Sequence, residues 1–304
     1  MWNLIEKSKH VGILLLKAGG AWVTDEAPRL SAALAFFTML SLSPLLLIAT
    51  SVAGMFFEQE AARAELVQQV ENLAGEEGGR VVRQALENAR FSKDKSIWSA
   101  ILAGGLLLFS STAVFVQLQS ALNKVWGASL KERELPMWKK LLLVRGRSLA
   151  LVLVIGFLLV VSLAGSAALA MLENMLSKKW PGLSEWMSIG YDLFSLFVVG
   201  GLFFLLFRLL PDTKVDTRAA WIGGLVTSLL LASGKWGIGL YFSKTAVGSA
   251  YGAAGSLVAF LLWVYFSMLM FFFGAEFTHA LSEDRLKRGS RRSEVSPAND
   301  GVEN

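Results

Sequence analysis

Residues 245–275 run for 31 positions without a charged side chain. Glycine, alanine and serine dominate the first third, aromatic and aliphatic side chains fill the rest, and Glu276 closes the run. About 20 residues at helical rise cross a ~30 Å hydrocarbon core, so a run of this length reads as a membrane span. Charge-free runs also cover 30–57, 96–123 and 148–172. A shorter one at 193–207 lies between Asp192 and Arg208, whose side chains can snorkel to an interface. Another, 219–234, continues past Lys235 to about Tyr241. One water-soluble core cannot enclose so many such runs in a chain that is only 17% charged. The expected fold is all-α: a polytopic membrane bundle of six transmembrane helices at about 30–57, 96–122, 148–172, 192–210, 219–241 and 253–277. An outer helical loop at 58–95 and an N-terminal interfacial helix complete it.

Six spans put both termini on one side. The segments on that side hold 19 Lys and Arg, against nine on the other. The excess of basic residues marks the cytoplasmic face, so both termini are expected in the cytoplasm of a bacterial inner membrane. The net charge of +5 then reflects topology and is poor support for nucleic-acid binding. Trp98, Trp126, Trp186, Trp221, Trp236 and Tyr241 fall near expected span ends, where amphipathic rings settle.

Three parts are expected not to span. Segment 1–28 reads as a cytoplasmic amphipathic helix, with Leu4, Ile5, Ile13 and Leu16 toward lipid and Lys7, Lys9 and Lys17 snorkelling. Its apolar run 11–16 is short and no convincing small-residue cleavage site follows, so the first span is expected to act as an uncleaved insertion signal. Segment 58–95 reads as two helices, about 59–73 and 79–89, broken at Gly75 and Gly78. Segment 281–304 is basic and polar, and is expected to be a disordered cytoplasmic tail.

Several residues stand out within this frame. Pro44 lies inside the first span; proline removes a backbone hydrogen bond and crowds the carbonyl four residues earlier. In lipid that carbonyl needs another partner, which Ser41, Ser43 or a neighbouring helix could supply. Pro44 is therefore a helix break or hinge, as are Gly248, Gly252 and Gly255 in a stretch expected to be irregular or re-entrant. Ala220, Gly224, Ser228 and Ala232 recur every four residues, a spacing that lets helix backbones approach closely. Gln117, Gln119 and Asn123 place amides in the second span, for helix-to-helix bonding or a polar path. Counting residues into each span puts Asp192 level with Lys235 at the outer end and Arg208 level with Glu276 at the inner end, which suggests two charged layers.

Catalysis finds little support. The chain has no cysteine and only two histidines, far apart in sequence, so thiolate chemistry is absent and no histidine–carboxylate metal cluster is apparent. No Walker loop is present. Neither a catalytic role, a cofactor nor a metal is expected.

The stretches RLSAALAFFTMLSLSPLLLIA (29–49), STAVFVQLQSALNKVWG (111–127), GFLLVVSLAGSA (156–167), LLPDTKVDTRAAWIGG (209–224) and GKWGIGLYFSKTAVGSAYGAAGSLVAFLLWVYFSMLMFFFGAEFTHA (234–280) resemble the YihY/BrkB family of bacterial inner-membrane proteins. Together they cover most of 29–280. The resemblance implies a six-span helical protein of the inner membrane, with envelope and lipid-handling links in some members, and it carries over no catalytic residue. The ribonuclease label once given to the family fits these residues poorly. The leading expectation is a transporter or flippase-like protein for a lipid or small solute, in contact with membrane lipids. The alternative is a non-transporting scaffold that holds a periplasmic protein through 58–95. The oligomeric state is left open.

Overall fold

The computed structural model describes residues 2–53, 59–88, 113–128, 165, 184–245, 251 and 254–295. Among them every long element is an α-helix and no strand occurs. In chain order these are α1 (Trp2–Thr24), α2 (Ala27–Ala53), α3 (Gln59–Asn88), α4 (residues 113–125), α5 (Ser184–Leu209), α6 (Thr217–Lys244) and α7 (Gly255–Val295). Consecutive helices α5, α6 and α7 pack in series, and α7 also meets α1, α2 and α3, which makes it the central rod.

The expected count of six spans is corrected to three among the described residues. Among the described residues three helices are long and apolar enough to cross a membrane: Asp192–Leu209, Thr217–Phe242 and Leu257–Lys287. Crossing needs ~20 predominantly apolar residues on one helix, and few charges within it are tolerated. In α2 the described apolar stretch is only Ala27–Leu42, a shorter helix. The run expected at 148–172 lies outside the described residues except for Gly165, and that at 96–122 is described only from 113.

Other elements also differ from expectation. Helix α7 continues to Val295, well into the segment expected to be a disordered tail. A Glu283–Lys287 pair at 3.3 Å, one helical turn apart, supports this extension. Segment 59–88 is a single helical element, yet it cannot be straight. Glu71 and Arg83 meet at 2.9 Å, and Val67 packs with Val82 and Leu86. Along a straight helix residues 71 and 83 would stand ~18 Å apart. The element therefore folds back between its two arms, around a glycine-rich stretch. Pro44 lies within α2 without ending it. The hydroxyl of Ser41 is bonded to the carbonyls of Phe37, at 2.8 Å, and Thr38, so it does not serve the Leu40 carbonyl that proline leaves unpaired.

Helix α1 lies against the central rod. Leu14 and Ala18 are buried with Phe277, and Trp22 Nε1 donates to the Leu269 carbonyl at 3.1 Å. Ile13 and Leu16 are exposed on the other face, Leu16 by 79%. The side chains of Leu4, Ile5, Lys7 and Lys9 lie outside the described residues.

The largest core gathers α2, α4, α5, α6 and α7. Phe207, Phe271, Phe203 and Trp126 form a ring cluster with centroid separations of 5.2 to 6.4 Å. Lipid tails are as apolar as these rings, so dispersion and close fit, and not escape from water, favour such contacts within a membrane. The small-residue stripe of α6 supplies that fit. Ala220, Gly224 and Ser228 are buried, and Gly224 lies against the α5 backbone at Gly200 and Phe204. Ala232 is exposed. A four-residue step advances 40° beyond one full turn at 3.6 residues per turn, so the third step leaves the contact face.

Candidate functional site

Four chain segments converge at one end of the bundle: the α1–α2 turn, the end of α4, the α5–α6 connection and the middle of α7. The turn is tight, and Glu26 adopts a left-handed φ of 58°. Lys124 clamps it from α4, with Nζ donating to the Asp25 carbonyl at 2.7 Å and to Glu26 Oε2 at 3.3 Å. That bond holds the backbone of the turn that carries Asp25.

Asp25 faces Glu276. The Glu276 carboxyl is 1% exposed, faces the Asp25 carboxyl, and leaves Oε1 without a hydrogen-bond partner. Phe272, Ala275 and Thr278 around it on α7 are fully enclosed. One turn further along α7, the His279 ring stacks at a tilt on Trp126, 6.1 Å between centroids, and Trp126 in turn meets Phe207 at 5.9 Å. The indole nitrogen of Trp126 is buried and also unpartnered. The carboxyl of Glu276 is thus enclosed, with the Asp25 carboxyl facing it.

A second polar joint closes the same end. Asn123 and Asp212 bond reciprocally: Asn123 Nδ2 donates to Asp212 Oδ2 at 2.8 Å, and the Asp212 amide donates to Asn123 Oδ1 at 2.8 Å. Gln119 adds a weaker bond to Asp212 at 3.3 Å. This joint pins α4 to the α5–α6 connection, where the Arg208 guanidinium donates to the Val215 carbonyl. Asn123→Ala removes both reciprocal bonds to Asp212, one of them to a carboxylate, at a cost of about 1–3 kcal/mol. The expected result is a lower melting temperature in detergent for Asn123→Ala, and a near wild-type value for Gln119→Ala.

The residues singled out in the sequence divide accordingly. Asn123 and Gln119 bond Asp212, while Gln117 is half-buried beside them. Arg208 and Glu276 are both at this end, but the guanidinium serves the Val215 carbonyl and the carboxyl faces Asp25, so they do not form the charged layer suggested by residue counting. Asp192 and Lys235 are both exposed near the other end. Gly255 is the first residue of α7, whereas Gly248 and Gly252 lie outside the described residues. The side chain of Pro44 also lies outside them.

Four important residues were not anticipated. Gly223 and Thr227 on α6 oppose Thr278 and Gly274 on α7, each threonine filling the space over the other helix's glycine. Both hydroxyls are satisfied one turn back within their own helices, Thr227 on the Gly223 carbonyl and Thr278 on the Gly274 carbonyl, each at 2.7 Å. The sequence signal is a glycine four residues before a threonine on both helices, and it sets the register of Glu276. Asp25 and Asp212 were also missed, since each acts from a turn.

Among the described residues no three histidine, aspartate or glutamate side chains gather as a metal site. What the arrangement offers is an enclosed ionisable group inside a helical bundle built to lie in a membrane. This defines a multi-pass helical membrane protein with an acidic pair shut into one end of its bundle.

The chain belongs to the YihY/BrkB family: the family described as virulence factor BrkB matches it over residues 19–298. A UPF0761 membrane protein of Cronobacter sakazakii is 27% identical over 293 residues, covering 95% of this chain and 96% of the relative. One from Chromobacterium violaceum is 31% identical over 263 residues, covering 84% of this chain and 58% of its own. One from Legionella pneumophila is 27% identical over 276 residues, covering 89% of this chain. The chain spans 62% of the length of that Legionella protein, so some relatives are considerably longer. No solved structure matches the chain.

Proposed function

We propose that this protein moves a lipid or small solute across the bacterial inner membrane, with Glu276 as the ionisable group at the heart of the process. One observation carries this reading: Glu276 is enclosed on a spanning helix, opposite Asp25, with Oε1 unbonded. Ionisable groups within membrane helices are costly, and they mark ion or substrate pathways far more often than they serve packing. A chain that needed only a filled core would place leucine or methionine there. Helical spans fit the inner membrane, since outer-membrane spans are β-barrels. The end that carries Lys214, Arg218, Arg285 and Lys287 faces the cytoplasm in this reading.

The test is flux in proteoliposomes loaded with purified full-length protein, using fluorescent phospholipids and a panel of small solutes. Wild-type protein should accelerate movement of at least one class. Glu276→Gln keeps the shape and loses the ionisation, and should reduce that flux at least ~10-fold, as expected for a group that exchanges a proton or charge in each cycle. Absence of any wild-type flux across the panel overturns the proposal.

A specific feature favours a second reading. The two arms of α3 enclose a groove of about 350 Å³ lined by Glu60, Arg63, Val67, Glu71 and Arg83. Its mixed charges suit a protein segment, as a scaffold for a periplasmic partner would need. Failure of flux together with crosslinks to a partner from positions in 60–87 supports that alternative.

A further inference from the structure

A cavity of about 510 Å³ opens where α1, α6 and α7 meet, lined by His10, Asp216, Arg218, Leu281, Asp284 and Arg285. Its two carboxylates are already engaged. Asp216 Oδ2 accepts from the Ala219 amide at 3.0 Å and from Arg285 at 3.2 Å, and Asp284 Oδ2 lies 3.1 Å from His10 Nε2. Arg285 commits one nitrogen to Asp216 and also lines the opening. Arg218 lines the same opening, is exposed, and makes no ion pair or hydrogen bond among the described residues. With both acids matched, the groups left to meet a ligand are guanidinium N–H donors.

The position of these donors narrows the ligand. Arg218 is the second residue of the span Thr217–Phe242, and Arg285 lies two residues before the end of the span Leu257–Lys287. Both therefore stand at one membrane surface, at the depth of lipid headgroups. Planar guanidinium forks match phosphate oxygens two at a time, a geometry that a lysine ammonium does not offer. Leu281 gives the cavity an apolar wall, as a phosphate attached to a glycerol and acyl chain would use.

We infer that this cavity is a binding site for a phosphate group at the membrane surface, with Arg218 as its main ligand and Arg285 as the second. The site is distinct from Glu276, and its occupancy does not depend on whether the protein transports anything. The phosphate belongs either to an anionic phospholipid headgroup or to a soluble phosphate, and the two sources can be separated.

The experiment measures the melting temperature of full-length protein in a neutral detergent during titration. The probes are short-chain phosphatidylglycerol, inorganic phosphate, and a short-chain diacylglycerol of the same acyl length. The variants are Arg218→Gln, Arg218→Lys and Leu281→Ala. Arg218 has no partner to lose, so Arg218→Gln should fold and melt like wild type without ligand. Loss of its charge-assisted bonds should weaken apparent affinity for the phosphate-bearing probe about 10-fold or more. Arg218→Lys should recover part of that loss. Stabilisation by phosphatidylglycerol alone, weakened by Arg218→Gln and by Leu281→Ala, assigns the site to a lipid headgroup. An equal response to inorganic phosphate that depends on Arg218 and is indifferent to Leu281 assigns it to a soluble phosphate. A response as large with diacylglycerol, or titrations that coincide for wild type and Arg218→Gln, overturns the inference. So does the absence of any response to either phosphate-bearing probe.

Discussion

Gly224→Leu should leave little folded protein, while Gly237→Leu should melt close to wild type. Both glycines lie on the same spanning helix, so hydropathy and membrane insertion favour leucine equally at both. The difference is what stands opposite. A Cβ at 224 would lie 2.5 Å from the Gly200 carbonyl oxygen and 2.8 Å from the Phe204 amide nitrogen. Those are backbone atoms of α5, and no rotamer change moves them aside. A Cβ at 237 meets nothing within 4 Å. Overpacking a fitted core costs about 1–3 kcal/mol when side chains can yield, and occasionally more. Here two helix backbones must separate, which also breaks the Phe204–Trp221 stack at 4.4 Å beside the contact, so a cost above ~3 kcal/mol is expected. Size-exclusion profiles and melting curves in detergent measure this directly. A Gly224→Leu variant that melts within a few degrees of wild type rules out the close α5–α6 contact.

That contact was legible before the structure, because small residues four apart on an apolar helix have one common use. Helices α5 to α7 were legible for a similar reason: each carries its own length of apolar sequence bounded by charge. The count of six was not reliable. Charge-free runs record only what is absent from a segment, and three of the described helices have the length and hydropathy of a span. The bend in α3 was foreshadowed by Gly75 and Gly78, although the backbone stays helical across it.

The candidate site was legible only in part. Asn123 stood out as an amide within an apolar run, but its partner Asp212 lies 89 residues away in a connection that looks like any polar turn. Glu276 stood out for the same reason, and the depth count placed it at the correct end of the bundle. Its neighbour was misjudged because the count weighed charges within spans and passed over the α1–α2 turn. Asp25 faces Glu276 from a turn whose backbone Lys124 also holds. No local pattern in the sequence encodes a meeting of two turns and two helices. The Gly223–Thr278 and Thr227–Gly274 contacts follow a spacing that can be read, but the pairing between helices depends on a register that a single sequence leaves open.

Glu276→Leu should raise the melting temperature while removing the proposed flux. The carboxyl is enclosed, faces another carboxyl, and leaves one oxygen unbonded, so the native fold carries a desolvation cost that its acidic neighbour does not offset. Replacing buried ionic groups by apolar side chains of similar volume is often neutral or stabilising by about 1–4 kcal/mol. Leucine at 276 would stand one turn from Phe272 on its own helix, and it would remove the acidic neighbour of Asp25. A gain of about 2 kcal/mol should raise the melting temperature by several degrees in a chain of this size. A residue kept for the fold loses stability when it is removed. A residue kept for function against the interest of the fold gives the opposite sign, and that sign is the discriminating result. If Glu276→Leu instead melts well below wild type, the carboxyl is part of the structural joint between α7 and the α1–α2 turn, and the transport reading loses the observation on which it rests. If it melts higher and flux is lost, the enclosed carboxyl is what the family fold is built to hold.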